Sequence, residues 1–215
     1  MASQNRLRRD NLIRYISALW RTPGLSRADL ARRLRIDRST SGQLADTLIE
    51  LGLVREAPEP ASGPNGGRPA VKLHILPGHG FTVGVELTVP VMRLVAVDLS
   101  GETIAYAEHH TVAGDIDYAA VVGEAVDAVV EKARNAGETR HGLLGVGIGA
   151  SAVVDSERGL IVRSDALHID APTPFDIAAS APVRLLNDAQ CCAIGELHEG
   201  GGTDLLAALL QFRPG

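Results

Sequence analysis

The sequence has few cysteines, few aromatic residues and no long apolar run. Its two cysteines are adjacent, at Cys191 and Cys192, so they cannot build a disulfide framework or a four-ligand zinc site on their own. No stretch of about 18 consecutive apolar residues occurs, which excludes a transmembrane helix. The polar first ten residues are not followed by an apolar signal segment. We therefore predict a cytoplasmic protein with no membrane partner.

Aromatic residues are scarce, with seven among 215 residues. A protein that stacks single-stranded bases on aromatic rings would be poorly equipped with so few. Charge is uneven, because residues 1–76 carry thirteen Arg and Lys against seven Asp and Glu, whereas residues 77–215 carry eight against nineteen. A basic front part on an acidic remainder suggests a module for double-stranded DNA joined to a unit of another kind.

A loop rich in proline and glycine divides the sequence. Seven of the thirteen residues from Pro58 to Ala70 are Pro or Gly, which is the composition of a loop. Helical periodicity precedes this loop, and strands and helices alternate after it. We predict a first domain over residues 1–76 and a second over residues 77–215.

The first domain is predicted to contain three helices and two strands. Apolar residues recur at helical spacing from Leu12 to Leu19. Ser26 to Asp29 fits a capping box for a second helix, while Asp37 and Gly52 can begin and end a third. Two short strands flank the loop: Val54–Glu56 and Val71–Ile75. Three helices and a two-stranded wing indicate a winged helix-turn-helix.

Polar residues open the third predicted helix. In duplex recognition, the N-terminal residues of such a helix reach base edges in the major groove. Gln43 can address adenine and Arg38 guanine or phosphate, and the arginines of the preceding helix and turn, Arg35 among them, suit phosphate contacts. The alternative is a three-helix interaction domain whose arginines only keep it soluble. The candidate DNA-binding residues here are Arg27, Arg32, Arg33, Arg38, Ser39, Thr40, Ser41 and Gln43.

The second domain alternates strands and helices. A long helix is predicted from Tyr118 to the stop at Gly137, and another over residues 188–198. Strands are predicted over residues 81–87, 92–98, 103–109, 143–149, 183–186 and 205–212. Hairpin strands followed by alternating helix and strand indicate an α/β fold, a mixed sheet with helices on its faces.

Several segments follow one another in a specific order: Gly66-Gly67-Arg68-Pro69, the strands FTVGVEL and LVAVDLSGE, a glycine-rich strand and Asn187-Asp188. In this order the sequence resembles the N-terminal half of ROK-family transcriptional regulators, repressors related to sugar kinases. The resemblance implies a winged helix-turn-helix joined to one lobe of an actin-like, sugar-kinase-like (ribonuclease H-like) domain, truncated in this chain. It places Arg68 in the wing, able to enter a minor groove of DNA. A linker arginine paired with the domain behind it is the alternative.

The resemblance also argues against ATP binding. In ROK kinases a D-x-G-G-T hairpin cradles the ATP phosphates with backbone amides, but the corresponding stretch, Val85–Pro90, has no glycine, and Pro90 has no amide hydrogen. The glycine-rich strand from Gly145 is not followed by a helix, so it is no dinucleotide fingerprint. The resemblance aligns it with the loop beside the sugar, with Ser151-Ala152 in place of Pro-Gly; close packing of sheet and helix is the alternative.

The Asn187-Asp188 pair resembles the strand-end segment with which the family binds sugar hydroxyls. The resemblance makes these two residues the candidate ligand-binding residues, and a plain helix cap is the alternative. Cys191 and Cys192 stand where the family has small residues, and we predict that both are buried fillers. The histidines have no zinc-site spacing, so no metal and no cofactor are predicted.

We therefore predict a sequence-specific transcriptional regulator, a repressor of carbohydrate metabolism, with a degenerate and truncated sugar-sensing domain and no catalytic residues. Its predicted partners are double-stranded DNA, a second copy of the chain in a homodimer, and a weakly bound sugar or sugar phosphate. Two alternatives remain: a ROK-type sugar kinase that uses ATP, and a DNA-binding protein that has lost its ligand response.

Overall fold

The computed structural model describes residues 2–58, 71–137 and 140–199. The chain divides into two compact units between His79 and Gly80. Among the described residues, no helix is both long and apolar enough to cross a membrane. In the same part of the chain, no group of three or more His, Cys, Asp and Glu side chains is placed to hold a metal ion.

The first unit contains three helices and a two-stranded antiparallel sheet. Its elements are α1 (Ala2–Arg21), α2 (Arg27–Leu34), α3 (Arg38–Glu50), β1 (Val54–Pro58) and β2 (Val71–Ile75). One apolar cluster unites the helices with the sheet, and its most deeply buried members include Tyr15, Leu19, Leu30, Leu48 and Leu73. This is a winged helix-turn-helix, so the fold predicted for the first domain is confirmed.

Local side-chain signals define the helix ends of this unit. The Ser26 hydroxyl accepts from the Asp29 amide at 3.2 Å, and the Asp29 carboxylate accepts from the Ser26 amide at 3.0 Å, a complete capping box for α2. Asp37 caps α3 by accepting from the Thr40 amide at 2.8 Å. Gly52 follows α3 with φ 71°, a left-handed conformation that glycine adopts without side-chain strain. The predicted start and end signals are confirmed.

The second unit is built on a five-stranded mixed sheet. Its elements are β3 (Phe81–Leu87), β4 (Val91–Asp98), β5 (Thr103–His110), α4 (Tyr118–Ala136), β6 (Leu143–Ala150), β7 (Val153–Asp155), β8 (Leu160–Arg163), β9 (Thr173–Pro174), β10 (Val183–Asn187) and α5 (Asp188–Glu199). The order across the large sheet is β10-β6-β3-β4-β5; β3, β4 and β5 pair antiparallel, while β6 pairs parallel with both β3 and β10. Strands β7, β8 and β9 form a separate antiparallel sheet.

One face of the large sheet is covered by α4. Every second residue of β3 is buried, from Phe81 to Leu87, because successive side chains of a strand point to opposite faces. These residues form one cluster with the apolar stripe of α4, which includes Val122, Val126 and Val129. The α/β architecture predicted for the second domain is confirmed.

Two parts of the second domain differ from the sequence-based expectation or lie outside the structure. Strands β8 and β9 were not expected; they have four and two residues, too few for a recognisable alternation of apolar and polar residues. The strand predicted over residues 205–212 lies outside the described residues.

Candidate functional site

Helix α3 presents a polar face to solvent. Ser39, Gln43 and Asp46 are exposed and recur at the spacing of one helix face, while Leu44 and Leu48 on the opposite side are buried. Arg38, the first residue of the helix, is exposed as well. The structure therefore places two predicted DNA-contacting residues, Ser39 and Gln43, on one accessible face at the N-terminal half of α3. Arg38 is accessible at the start of the helix, about 100° from Ser39 around its axis.

The two other hydroxyl residues of this segment lie differently. Thr40 is half-buried, and its hydroxyl donates to the Asp37 carboxylate at 2.6 Å, so it completes the cap. Ser41 is fully buried, with 0% of its surface exposed, and its hydroxyl donates to the Arg27 carbonyl at 2.7 Å. The prediction that Ser41 contacts DNA is wrong, because Ser41 lies three and seven residues before Leu44 and Leu48 on the inward face. That spacing could have identified it as a core residue.

Three arginines surround a concave surface at the turn between α2 and α3. Arg32, Arg35 and Arg38 line it, with Ala28 and Ala31 among the other lining residues. Arg32 is largely exposed although it pairs with Asp29. Arg35 ends α2 with φ 56°, in the left-handed region that non-glycine residues seldom occupy. Asp37 also lines this surface, and the three arginines leave it with a net positive charge that is suited to phosphate groups.

Two further features of the first unit are the exposed Arg33 and the anchored strands of the wing. Arg33 is exposed, and its guanidinium donates to the Thr22 hydroxyl at 3.1 Å. The wing strands are anchored to the loop before α2, because the Leu73 amide donates to the Leu25 carbonyl at 3.0 Å and Lys72 Nζ donates to the Gly24 carbonyl at 2.6 Å. Arg68, predicted at the wing tip, lies outside the described residues.

Arg27, also predicted to contact DNA, is engaged within the first unit. Its guanidinium contacts the Glu56 carboxylate at 2.7 Å, the Asp46 carboxylate at 2.7 Å and the Gly42 carbonyl at 3.1 Å. The hydrogen bond to Glu56 is the main reason that the pKa of Arg27 lies even above its ordinary value. Its partners lie 15 to 29 residues along the chain, and sequence spacing gave no signal for them.

A second cluster of polar groups lies at the carboxyl ends of β6 and β10 in the second unit. The Asp188 carboxylate accepts from the Ser151 hydroxyl at 2.6 Å and from the Ala189 amide at 2.7 Å. The Asn187 side chain donates to the Ala152 carbonyl at 2.8 Å and accepts from the Ala189 amide at 2.9 Å. The two predicted ligand residues are therefore adjacent and half-buried, and the side chain of each already has one hydrogen bond to the turn after β6.

The cysteines of α5 differ in burial. Cys191 is half-buried, and a Cβ added at Gly149 would lie 3.0 Å from its sulfur, so glycine at position 149 lets α5 approach the sheet closely. Burial raises the pKa of the Cys191 thiol. Cys192 is exposed. The prediction that both are buried fillers is wrong for Cys192, because the neighbouring position on a helix points about 100° away.

The turn between β3 and β4 stands at the place predicted to lack a phosphate-binding hairpin. It consists of Thr88, Val89 and Pro90. The nearby Glu86 carboxylate accepts from Arg93 at 3.0 Å, and Arg93 lies 3.4 Å from Glu108. The Glu86 carboxylate at this end of β3 is thus paired with an arginine of the protein itself.

Comparisons with known proteins agree with the two-unit architecture. Residues 82–209 match the sequence model of the ROK family, and residues 10–63 match that of the MarR family. The xylose repressor of Lactiplantibacillus pentosus is 27% identical over 212 residues, covering 94% of this chain and 52% of that protein. The xylose repressor of Caldicellulosiruptor bescii is 24% identical over 199 residues, covering 91% and 49%. The chain spans about half the length of these relatives.

A solved structure shows the same fold. It is a crystal structure of a ROK family transcriptional regulator, a homologue of the Escherichia coli MLC protein, with a TM-score of 0.66 and 17% identity. The match covers 85% of this chain and 46% of that one. The fold is therefore a winged helix-turn-helix followed by a sugar-kinase-like α/β unit.

Proposed function

Because the chain belongs to the ROK family, we propose that it is a transcriptional repressor that binds double-stranded DNA through its first unit and senses a sugar through its second. The relatives named above, whose matches cover 91% and 94% of this chain, are xylose repressors. For this chain we propose control of genes for carbohydrate use, with a pentose such as D-xylose as the first effector to test.

The observation that carries the DNA-binding proposal is the solvent face at the N-terminal half of α3. Ser39 and Gln43 are accessible on this face and Arg38 is accessible at the first residue of the helix, the part of a recognition helix that reaches base edges in the major groove. A guanidinium recognises guanine through two acceptors, and a primary amide recognises adenine through a donor and an acceptor. Small Ser39 beside them allows the helix to enter the groove deeply.

Phosphate contacts are assigned to the turn before α3 and to the wing. Arg32, Arg33 and Arg35 are exposed, Arg32 and Arg35 line the concave surface before α3, and each phosphate that these arginines neutralise releases counterions. Arg68 is proposed to enter the adjacent minor groove. We further propose a homodimer, because two copies of such a unit bind half-sites about one helical turn of DNA apart.

The effector is proposed to bind at Asn187 and Asp188. A carboxylate and an amide at a strand end can bind neighbouring sugar hydroxyls. Here the Asp188 carboxylate already accepts from Ser151, and the Asn187 amide already donates to the Ala152 carbonyl. A sugar hydroxyl would compete with the Ser151 hydroxyl for the Asp188 carboxylate, and each exposed hydrogen bond that the sugar gains contributes only about 0.5–1.5 kcal/mol net. We therefore propose millimolar or weaker sugar affinity for this chain.

We propose no phosphoryl-transfer activity. Bare backbone amides are needed to cradle ATP phosphates, whereas the β3–β4 turn offers Thr88, Val89 and Pro90. The Glu86 carboxylate nearby is paired with Arg93. Incubation with ATP, Mg²⁺ and a panel of pentoses and hexoses should yield no sugar phosphate, and ATP-dependent formation of one would overturn this assignment.

Salt-dependent binding to duplex DNA tests the main proposal. The full chain is titrated onto a synthetic duplex carrying the sequence that it enriches from a random pool, at several salt concentrations. The logarithm of the binding constant should fall by about 0.9 per neutralised phosphate for each unit of log salt. Arg33→Ala should weaken all duplexes alike, whereas Arg38→Ala and Gln43→Ala should reduce the preference for the enriched duplex. Absence of salt-dependent duplex binding would refute the proposal.

A further inference from the structure

We propose that Arg27 is a positioning residue that sets the wing against the recognition helix without touching DNA, an inference that rests on the proposed DNA-binding function. Arg27 is the first residue of α2, yet its guanidinium contacts α3 and β1. The two elements proposed to enter the grooves of DNA are thus fixed to each other through one side chain.

The contacts of Arg27 are distributed over three points. One guanidinium nitrogen, Nη1, contacts both the Asp46 carboxylate at 2.7 Å and the Gly42 carbonyl at 3.1 Å on α3. Another, Nε, donates to the Glu56 carboxylate on β1 at 2.7 Å. A planar guanidinium can serve several acceptors in fixed directions, whereas a lysine ammonium is a compact point charge. The site therefore requires arginine rather than a positive charge alone.

The backbone of Arg27 is held as firmly as its side chain. Its carbonyl accepts from the buried Ser41 hydroxyl at 2.7 Å, and the Ser41 oxygen lies 3.0 Å from the hydroxyl of Tyr15 on α1. Tyr15 and Ser41 are both fully buried. Three helices and the wing thus meet at Arg27, and the side chain, 32% exposed, has little freedom to turn towards a ligand.

The position of Asp46 explains why this arrangement matters for DNA. Asp46 is 59% exposed and lies on the face of α3 that also carries Ser39 and Gln43. An unpaired carboxylate there would face the phosphate-lined groove. Its ion pair with Arg27 holds the carboxylate back towards the start of α2 and keeps Gln43, three residues earlier, free to approach a base.

A direct phosphate contact by Arg27 makes the opposite predictions from a positioning role. Lysine binds phosphate as a point charge, so Arg27→Lys would preserve a phosphate contact. It would not preserve the bridge that the guanidinium forms between Gly42 and Asp46 on α3 and Glu56 on β1. Glu56→Ala removes a negative charge from the DNA-binding unit. Coulomb's law alone then predicts tighter DNA binding, whereas loss of the bridge predicts weaker binding.

The experiment measures affinity for the enriched duplex with the full chain and its variants. We expect Arg27→Lys and Glu56→Ala each to weaken binding about tenfold, which corresponds to about 1.4 kcal/mol of binding free energy. Arg27→Gln should leave the salt slope unchanged, because no phosphate contact is lost. Arg93→Lys is the matched control: Arg93 also bridges two carboxylates, Glu86 and Glu108, but in the second unit, and its replacement should leave DNA affinity unaltered.

Several results would overturn the inference. These are wild-type affinity in Arg27→Lys, tighter binding by Glu56→Ala, or a salt slope reduced by about 0.9 in Arg27→Gln. If Arg27→Lys fails to fold, Glu56→Ala decides the question by the sign of its effect. A wild-type chain that binds no duplex at all refutes the proposed function itself, which is a different outcome from normal wild-type binding with unaffected variants.

Discussion

Replacing Ser41 with alanine tests the buried polar link between the helices of the first unit. Ser41 has no exposed surface, and its hydroxyl donates to the Arg27 carbonyl at 2.7 Å. With its hydrogen committed there, the Ser41 oxygen accepts from the Tyr15 hydroxyl at 3.0 Å. Ser41→Ala therefore removes two hydrogen bonds and leaves the hydroxyl of a fully buried tyrosine without its partner.

The magnitude follows from which group is left unpaired. A buried polar group without a partner costs about 1–3 kcal/mol, so Ser41→Ala should lower the free energy of unfolding by that amount. Tyr15→Phe removes only one bond, because Ser41 keeps the Arg27 carbonyl, and should cost about 0.5–1.5 kcal/mol. When Ser41→Ala is added to a chain that already carries Tyr15→Phe, it should lower the free energy of unfolding by less than in the wild type. In that chain no tyrosine hydroxyl remains that could lose its hydrogen-bond partner.

Urea denaturation followed by tryptophan fluorescence measures these differences. Trp20 is the only tryptophan of the chain and lies in α1, so its emission reports unfolding of the first unit. The free energies come from linear extrapolation, with the slope checked for constancy among variants. A loss below about 0.5 kcal/mol for Ser41→Ala, or equal losses in the wild type and in the Tyr15→Phe variant, would contradict the proposed network.

Three further predictions concern the helix caps and the strand-end cluster. The Ser26 hydroxyl and amide lower the pKa of Asp29 to about 2 from 3.8. The stabilising effect of the ionised Asp29 carboxylate is therefore complete above pH 3.8 and lost as the pH falls towards 2. Over that interval an Asp29→Asn variant should lose less stability than the wild type, measured by Trp20 fluorescence. Gly52→Ala should destabilise the first unit by about 1 kcal/mol, because the residue has φ 71°; an unchanged urea midpoint would show that the turn adapts. Ser151→Ala frees one oxygen of Asp188, so amide shifts of Asp188 in a D-xylose titration should saturate at lower sugar concentration than in the wild type, and identical titration curves would show that Ser151 does not compete with the sugar.

The helix ends of the first unit were predictable because their causes are local. Ser26, Asp29 and Asp37 act on amides three residues away, and Gly52 supplies the left-handed residue directly after α3. Propensity and capping depend on neighbours in sequence. The strand predicted over residues 81–87 is likewise confirmed as β3.

The contacts that sequence reasoning did not foresee depend on distant partners. The acceptors of the Arg27 side chain lie on α3 and β1, and an arginine in a basic segment looks the same in sequence whether it meets phosphate or carboxylate. Ser41 was assigned to the DNA surface from its polar neighbours, although its spacing from Leu44 and Leu48 places it on the buried stripe. A hydroxyl can be buried when two partners satisfy it.

The strand-end pair was located by resemblance, but its present hydrogen bonds could not be foreseen. Asn187 and Asp188 lie 35 and 37 residues from Ala152 and Ser151, their partners across the sheet edge. Parallel strands β6 and β10 bring these segments to one end of the sheet. Only the folded register shows that Ser151 donates to the carboxylate that was predicted to hold a sugar.

Selection from a random pool of duplex DNA tests the central claim most directly. The full chain and its Gln43→Ala variant are each used to enrich duplexes over successive rounds, and the enriched pools are sequenced. The account predicts one recurring sequence for the wild type, with base preference weakened by the variant at a subset of positions, those under the N-terminal half of α3. No enrichment by the wild-type chain, or an identical motif from both proteins, would contradict it.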